Sequence, residues 1–409
     1  MRRALVCMFR SLAVVPAVIS LLGCSDGDDA ATPTPSATQT STASATPTLA
    51  PPTSTVTASA PPSATAPPTP TATADLRLGT LARAAGVFVG AGFVEGSHDP
   101  RFRELLVSEF NSATAPIYWS QIQPQPGVFD FTAPDAAVEI GEANGLRLRG
   151  HPLIWGRLAL PDSVQQASDA DSLRAMITER IETVLGRYRG RIVQYDVVNE
   201  PLTVLGGPGV TGTGLEDYVF LRLLGPGYIR EALELAHAAD PDAELYINEF
   251  FVERPGPKQD AFFELVRGLV ESGAPLHGVG FQGHIMLPFF EYYLPTRDEV
   301  AAAVQRFTAL GLDVEITELD VPVADPATQL ETQARIYADM FAGCFETPGC
   351  RGITTWGISD RYTWIRDSFQ REGAPLLFDF EFMPKPAYFA VREVLRGLSK
   401  PPMNTDEHR

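Results

Sequence analysis

From residue 85 to residue 398 the chain alternates short, apolar, β-branched runs with longer amphipathic ones, and few folds accept that pattern over so long a stretch. The strand-like runs are 85–89, 112–115, 146–151, 193–199, 244–248, 278–283, 313–317 and 352–356. Helix-like runs at 172–188, 228–239, 258–272, 297–310 and 329–344 lie between them, several stopping at Gly or Asp-Pro. Eight strands with helices between them predict an α/β fold, a (β/α)8 TIM barrel. Such a barrel occupies about 250 residues or more, so one domain spanning 75–400 accounts for most of the 409 residues.

Two strand-like runs end in a carboxylate. Val193 to Pro201 reads VQYDVVNEP and Asp313 to Val321 reads DVEITELDV, which puts Glu200 and Glu318 at strand ends, the face where barrel active sites are built. A glycosidic bond resists hydrolysis because its oxygen leaves poorly and its anomeric carbon must carry positive charge. Two carboxyl groups answer both difficulties: a protonated one supplies the leaving oxygen with a proton, and an ionised one attacks or stabilises the carbon. Asn199 stands beside Glu200, placed to hydrogen-bond a sugar hydroxyl; Asn-Glu-Pro alone is nevertheless a common tripeptide. Strand residues i and i+2 face the same way, so Glu318 shares a side with Asp320, and Gln282 with His284. Because the sixth and seventh strands are neighbours, His284 is expected to bridge Glu318 and Asp320, holding the carboxylate ionised, while Gln282 reaches toward the sugar.

DVVNEP followed downstream by ITELD resembles glycoside hydrolase family ten, the β-1,4-xylanases. RGHPLIW at 149–155, GVGFQGHI at 278–285, TTWGISD at 354–360 and PLLFDFEFMPKPAYFAV at 375–391 occur in that family's order, and the resemblance spans 78–398. It implies a retaining endo-1,4-β-xylanase acting on xylan without cofactor or metal, with Glu200 as acid/base and Glu318 as nucleophile supported by Asp320. It also implies that Asn199, His151, Trp155, Gln282, His284, Trp356, Trp364 and Tyr118 surround the substrate. The plainer alternative for each His is a hydrogen-bonded core residue, and for each Trp plain packing; sugars, however, stack their C–H faces on aromatic rings.

The departures from the family fall in the outer sugar pockets. After the second strand the family carries a Glu-Asn pair and a Lys-Trp; here the stretch reads TAPIYW, with Tyr118 where the Lys would stand. A His usual after Trp155 is Gly156, and the family's NDYN is Asn248-Glu249-Phe250-Phe251. Two rival functions follow: the same chemistry on another β-linked glycan or glycoside, or a catalytically silent carbohydrate-binding lipoprotein. A pure binder, however, has no physical need for two apposed carboxylates.

Residues 1–24 carry Arg2, Arg3 and Arg10, then an apolar run, and end Leu21-Leu22-Gly23-Cys24, an export signal with a lipobox-like end. Acylation of Cys24 would tether the protein to a cell-envelope membrane; an ordinary cleaved signal would leave it secreted. Residues 25–74 are dominated by Thr, Pro, Ser and Ala and read as a disordered stalk; 401–409 form a tail. With a net charge of −18 and no dense Lys/Arg run, nucleic acid is excluded as a partner, and the expected partners are a polysaccharide and, through the anchor alone, a membrane. A monomer is expected. Cys344 and Cys350 frame CFETPGC around a Pro-Gly turn and read as a local disulfide, which some family members carry here; zinc binding or two free thiols are the alternatives.

Overall fold

The computed structural model describes residues 76–93, 96–203, 214–285, 294–369 and 373–398. The export signal, Cys24, the stalk and the tail at 401–409 lie outside the described residues. Helix α1 (Leu78–Ala85) opens the described chain, burying Leu78, Leu81 and Ala82, and stops where Gly86 takes a left-handed φ of 73°. Strand β1 is therefore Phe88–Gly92, not 85–89. The Ala-rich approach to Gly86 reads as apolar strand in sequence, but its buried positions have helical spacing and Gly86 supplies the stop.

The chain then runs α2 (Pro100–Glu109), β2 (Ser112–Pro116), α3 (Thr132–Ala143), β3 (Arg147–His151), α4 (Ala170–Tyr188) and β4 (Gln194–Asn199). It continues α5 (Tyr228–Ala239), β5 (Glu244–Glu249), α6 (Pro257–Glu271), β6 (Gly278–Phe281), α7 (Arg297–Thr308), β7 (Asp313–Leu319), α8 (Pro326–Phe345), β8 (Cys350–Thr355) and α9 (Pro386–Leu398). Side-chain caps set several helix starts: Asp99, Asp169 and Asp325 each accept a first-turn backbone N–H, and Thr296 with Glu299 forms a capping box.

Among the described residues these eight strands pair in parallel, in the spatial order β3-β2-β1-β8-β7-β6-β5-β4, and a two-residue strand, Ile154–Trp155, adds to β4. The ring closes where Arg149 and Gly150 of β3 pair with Gln194 and Tyr195 of β4. This is the (β/α)8 barrel. One parity of each strand is apolar and buried under the helices: Val89 and Ala91, Tyr195 and Val197, Leu245 and Ile247, Val314 and Ile316. The opposite parity is polar and bonds across strands. Arg147 reaches Gln194, Glu244 and Glu315; Arg149 reaches Thr114 and Asp196; Thr317 donates to Asn248. A disulfide joins Cys344 of α8 to Cys350 at the start of β8, at the end of the strand opposite the site. No described helix is long and apolar enough to cross a membrane.

Candidate active site

Glu318, near the end of β7, is buried at 4 % exposure, and each oxygen is engaged. Asn248 Nδ2 donates to Oε1 at 2.6 Å, and His284 Nε2 stands 3.3 Å from Oε2. The other nitrogen of His284, Nδ1, is 3.0 Å from Asp320 Oδ2, which also accepts from Trp364 Nε1 at 2.7 Å. With a carboxylate at both ring nitrogens, His284 is an imidazolium. Burial pushes that imidazole down, but Asp320 and Glu318 outweigh it and lift it to about 10. Burial likewise pushes the Glu318 carboxyl up, but His151, His284 and Arg149 hold it at about 2. Glu318 is thus ionised across the physiological range.

His151, at the end of β3, places Nδ1 2.6 Å from Asp196 Oδ2 and 3.7 Å from Glu318 Oε1. Arg149 donates to the same Asp196 oxygen from inside the barrel. His151, Asp196 and Glu318 bring potential ligand atoms within 4.8 Å of one another. The Arg149 guanidinium already supplies the positive charge that such a group of acids requires, and Asn248 donates into Glu318. The donor set therefore fits a hydrogen-bonded network better than a cation site.

Glu200 has a different setting. It follows β4, whose register against β5 shifts between Asp196 and Val198, and its own φ is 52°, a left-handed conformation that costs a non-glycine residue about 1–3 kcal/mol. Its backbone N–H is tied to the Asn248 carbonyl. Gln282 Nε2 donates to Oε1 at 3.1 Å, and Arg157 Nε donates to Oε2 at 2.8 Å. The second arm of Arg157 reaches Glu216 at 3.3 Å.

Asn199, Asn248 and Gln282 join the two halves. Asn248 Nδ2 serves both Asn199 Oδ1 at 2.8 Å and Glu318, while Gln282 Nε2 serves Asn199 at 3.2 Å as well as Glu200. Room for the Asn248 side chain is made by Gly280 on the next strand, where an added Cβ would lie 2.1 Å from Asn248 Oδ1. Four aromatic rings complete the wall. Tyr118 lies 6.1 Å from Trp155, tilted 36°, and edge-on to His151; Trp356 meets His151 edge-on at 5.1 Å; Trp364 lies 5.0 Å from His284.

The structure brings together the residues expected around Glu200 and Glu318, while Cys24, expected to carry a lipid, lies outside the described residues. Sequence reading missed Asn248, Asp196, Arg149, Arg157 and Glu216. Asn248, Asp196 and Arg149 carried a usable signal, being polar residues of strand runs on the parity that faces the barrel interior. Arg157 and Glu216 carried none, since they come from separate loops.

The profile described as "Glycosyl hydrolase family 10" matches residues 77–394. The chain belongs to this family of glycoside hydrolases. An endo-1,4-beta-xylanase 1 from Humicola insolens is 35 % identical over 333 residues, 79 % of this chain and 75 % of that protein. An endo-1,4-beta-xylanase A from the same organism is 34 % identical over 343 residues, 80 % of this chain and 88 % of its own length. Among solved structures, xylanase 10B from Thermotoga petrophila RKU-1 in complex with xylobiose superposes with a TM-score of 0.74 at 31 % identity, covering 80 % of this chain and 99 % of that one.

Against the family pattern, two departures now have a physical form. An added Cβ at Gly156 would lie 2.1 Å from the Tyr218 ring, so Tyr218 occupies the space the family's His would need. Glu249, in the altered NDYN, is a buried carboxylate 2.8 Å from Lys258 Nζ that also accepts from the backbone N–H of Leu202 and Phe250. Burial raises Glu249 and lowers Lys258, each opposed by the other's charge. The pair braces the loop directly after Glu200.

Proposed function

We propose that this chain is a retaining endo-1,4-β-xylanase in which Glu200 is the acid/base and Glu318 the nucleophile. The observation that carries the assignment is the asymmetry of the two carboxylates. Glu318 is locked ionised by His284, Asn248 and His151, as a nucleophile must be, while Glu200 is met by Gln282 and by a partly exposed Arg157.

In the first step the Glu318 carboxylate attacks the anomeric carbon, the glycosidic C–O bond breaks, and the proton of Glu200 goes to the departing oxygen. The shorter chain leaves as an alcohol, and an ester links the remaining sugar to Glu318. In the second step Glu200 takes a proton from water, the water oxygen attacks the same carbon, and the ester breaks to return the Glu318 carboxylate. Asn199 and Gln282 are placed to reach sugar hydroxyls, and Asn248, engaged by Asn199, Glu318 and Thr317, holds the carboxylate in register. Tyr118, Trp155, Trp356 and Trp364 supply flat surfaces for the sugar faces.

The substrate is xylan, in keeping with the names of the relatives. The changed outer pockets bear on how firmly its distal sugars are held. Residues 1–24 direct export, Cys24 carries a lipid, 25–74 hold the barrel away from the membrane, and the enzyme works as a monomer outside the cytoplasm. Reducing-sugar release by the purified protein from xylan, set beside cellulose, mannan and mixed-linkage glucan, tests the substrate. A preference for any of the others would move the assignment within the family. Fractionation of cells producing the full chain or Cys24→Ala tests the anchor: only the full chain should sit with the membranes.

A further inference from the structure

Both oxygens of Glu200 face donors. Arg157 Nε lies 2.8 Å from Oε2 and Gln282 Nε2 lies 3.1 Å from Oε1, so the arrangement, with a guanidinium on one oxygen, favours the ionised carboxylate. An acid/base must nevertheless hold a proton in the first step, and arginine cannot give its own up. Protonation removes the charge that Arg157 pairs with, so the donor that gains by shifting is the charged one. Gln282 is 1 % exposed and also tied to Asn199, whereas Arg157 is 19 % exposed and already touches a second carboxylate, Glu216, at 3.3 Å. Its guanidinium also lies 5.7 Å from the centre of the Phe250 ring, which gives it a surface to rest on.

We propose that Arg157 is a positioning residue for Glu200, held in place by Glu216 as a standing counter-ion, and that this pair sets the pH at which the enzyme loses its general acid. The inference rests on the reading of Glu200 as acid/base. When Glu200 is ionised, Arg157 pairs with it and with Glu216; when Glu200 takes up its proton, Arg157 withdraws to Glu216 and keeps a balanced charge. The proton moves only between Glu200, the leaving oxygen and water.

The other charged and titratable groups around Glu200 are Tyr218 and Glu216 from the loop after β4, Glu249 on β5, Lys258 on α6 and, across the Asn199–Asn248–Gln282 bridge, Glu318 with His284. Burial pushes the Tyr218 phenol far up, so it stays neutral, while Glu249 and Lys258 oppose each other, as Glu318 and His284 do. Arg157 and Glu216 therefore remain as the charges whose removal changes the field at Glu200 in opposite senses. A positive neighbour favours the carboxylate, so it lowers the pH at which the proton is lost; a negative neighbour of that cation does the reverse.

The test is the alkaline limb of kcat/KM against pH on xylan, for the wild type, Arg157→Ala, Arg157→Lys and Glu216→Gln, with thermal melts to confirm folding. Arg157→Ala should move the limb to higher pH by about one pH unit, Glu216→Gln should move it lower, and Arg157→Lys should keep it near the wild type. An unmoved limb in folded Arg157→Ala would overturn the proposal, as would a shift of Glu216→Gln in the same direction. If Arg157→Ala is too unstable to assay, a normal limb in Glu216→Gln overturns it alone. A parallel Glu200→Ala measurement separates the two levels of inference. If that variant lost xylan and activated aryl glycosides equally, the acid/base reading itself would fall; if it spared only the activated substrates while the Arg157 limb stood still, the failure would belong to Arg157.

Discussion

Glu318 and Glu200 have surroundings built on opposite principles. Around Glu318 the surroundings are fixed: a strand position, an imidazolium clamped between two carboxylates, and an indole N–H locking Asp320 from behind. Around Glu200 they are adjustable: a left-handed residue after a register shift, a partly exposed arginine, and a second acid to receive it. The difference suits the roles proposed for the two residues. A nucleophile has to present the same charge at every encounter, so burial is offset by permanent cations. An acid/base has to change charge twice in each turnover, and a permanent partner would trap it in one state.

The largest effect that could break this comparison is loss of the carboxylates themselves. Glu318→Ala should abolish turnover on xylan and on aryl glycosides with activated leaving groups, because no ester can form. Glu200→Ala should abolish xylan hydrolysis but leave a burst of aryl alcohol from the activated substrate, since that leaving group needs no proton. Stopped-flow release of the aryl alcohol checks both, and equal loss in the two variants would erase the proposed division of labour.

Removing the clamp should come next. His284→Gln is expected to lower kcat on the order of 100-fold, by unfixing a charge that the transition state relies on. Its effect on stability carries a pH signature. The Glu318 carboxyl sits at about 2 against an ordinary 4.5, so its stabilising contribution is present above 4.5 and is lost as pH falls through about 2. His284 sits at about 10 against an ordinary 6.5, so its contribution is complete below 6.5 and is lost as pH rises through about 10. The gap between wild-type and His284→Gln denaturation midpoints should therefore be widest between about pH 4.5 and 6.5 and narrow on both sides. A gap that ignores pH would show that the imidazolium is not what holds Glu318.

The smallest expected effect sharpens the comparison by moving outward from both carboxylates. Tyr118 stands where the family has a lysine, and it packs against Trp155 and His151. A hydrogen bond from a charged group to a sugar is worth about 1.5–3 kcal/mol, while the stacking lost with the phenol is worth about 0.5–1.5 kcal/mol. Tyr118→Lys should accordingly raise kcat/KM about fivefold on xylo-oligosaccharides long enough to reach beyond the cleaved bond on the non-reducing side. Product patterns from end-labelled oligosaccharides give the answer; an equal change on short and long substrates would place Tyr118 outside the distal pocket.

The barrel and its two key glutamates were legible in the sequence because both rest on local, periodic signals. Period-two runs ending in Glu200 and Glu318 state which residues reach the catalytic face, and the spacing of Gln282 with His284 and of Glu318 with Asp320 states which share a side. The first strand was misplaced because a short Ala-rich run has no preference strong enough to tell helix from strand until Gly86 is seen to end α1. What only the tertiary structure decided is how charges from distant segments neutralise one another. Arg149 meets Asp196 across β3 and β4, Glu249 meets Lys258 across a strand and a helix, and Arg157 meets Glu200 and Glu216 across two loops. Such pairings depend on distances of a few ångströms between segments far apart in the chain, and charge attraction has no sequence period to betray it. The sequence by itself therefore pointed to the two carboxylates proposed to react. The folded chain determined that Glu318 is held ionised and that Glu200 meets a partly exposed arginine.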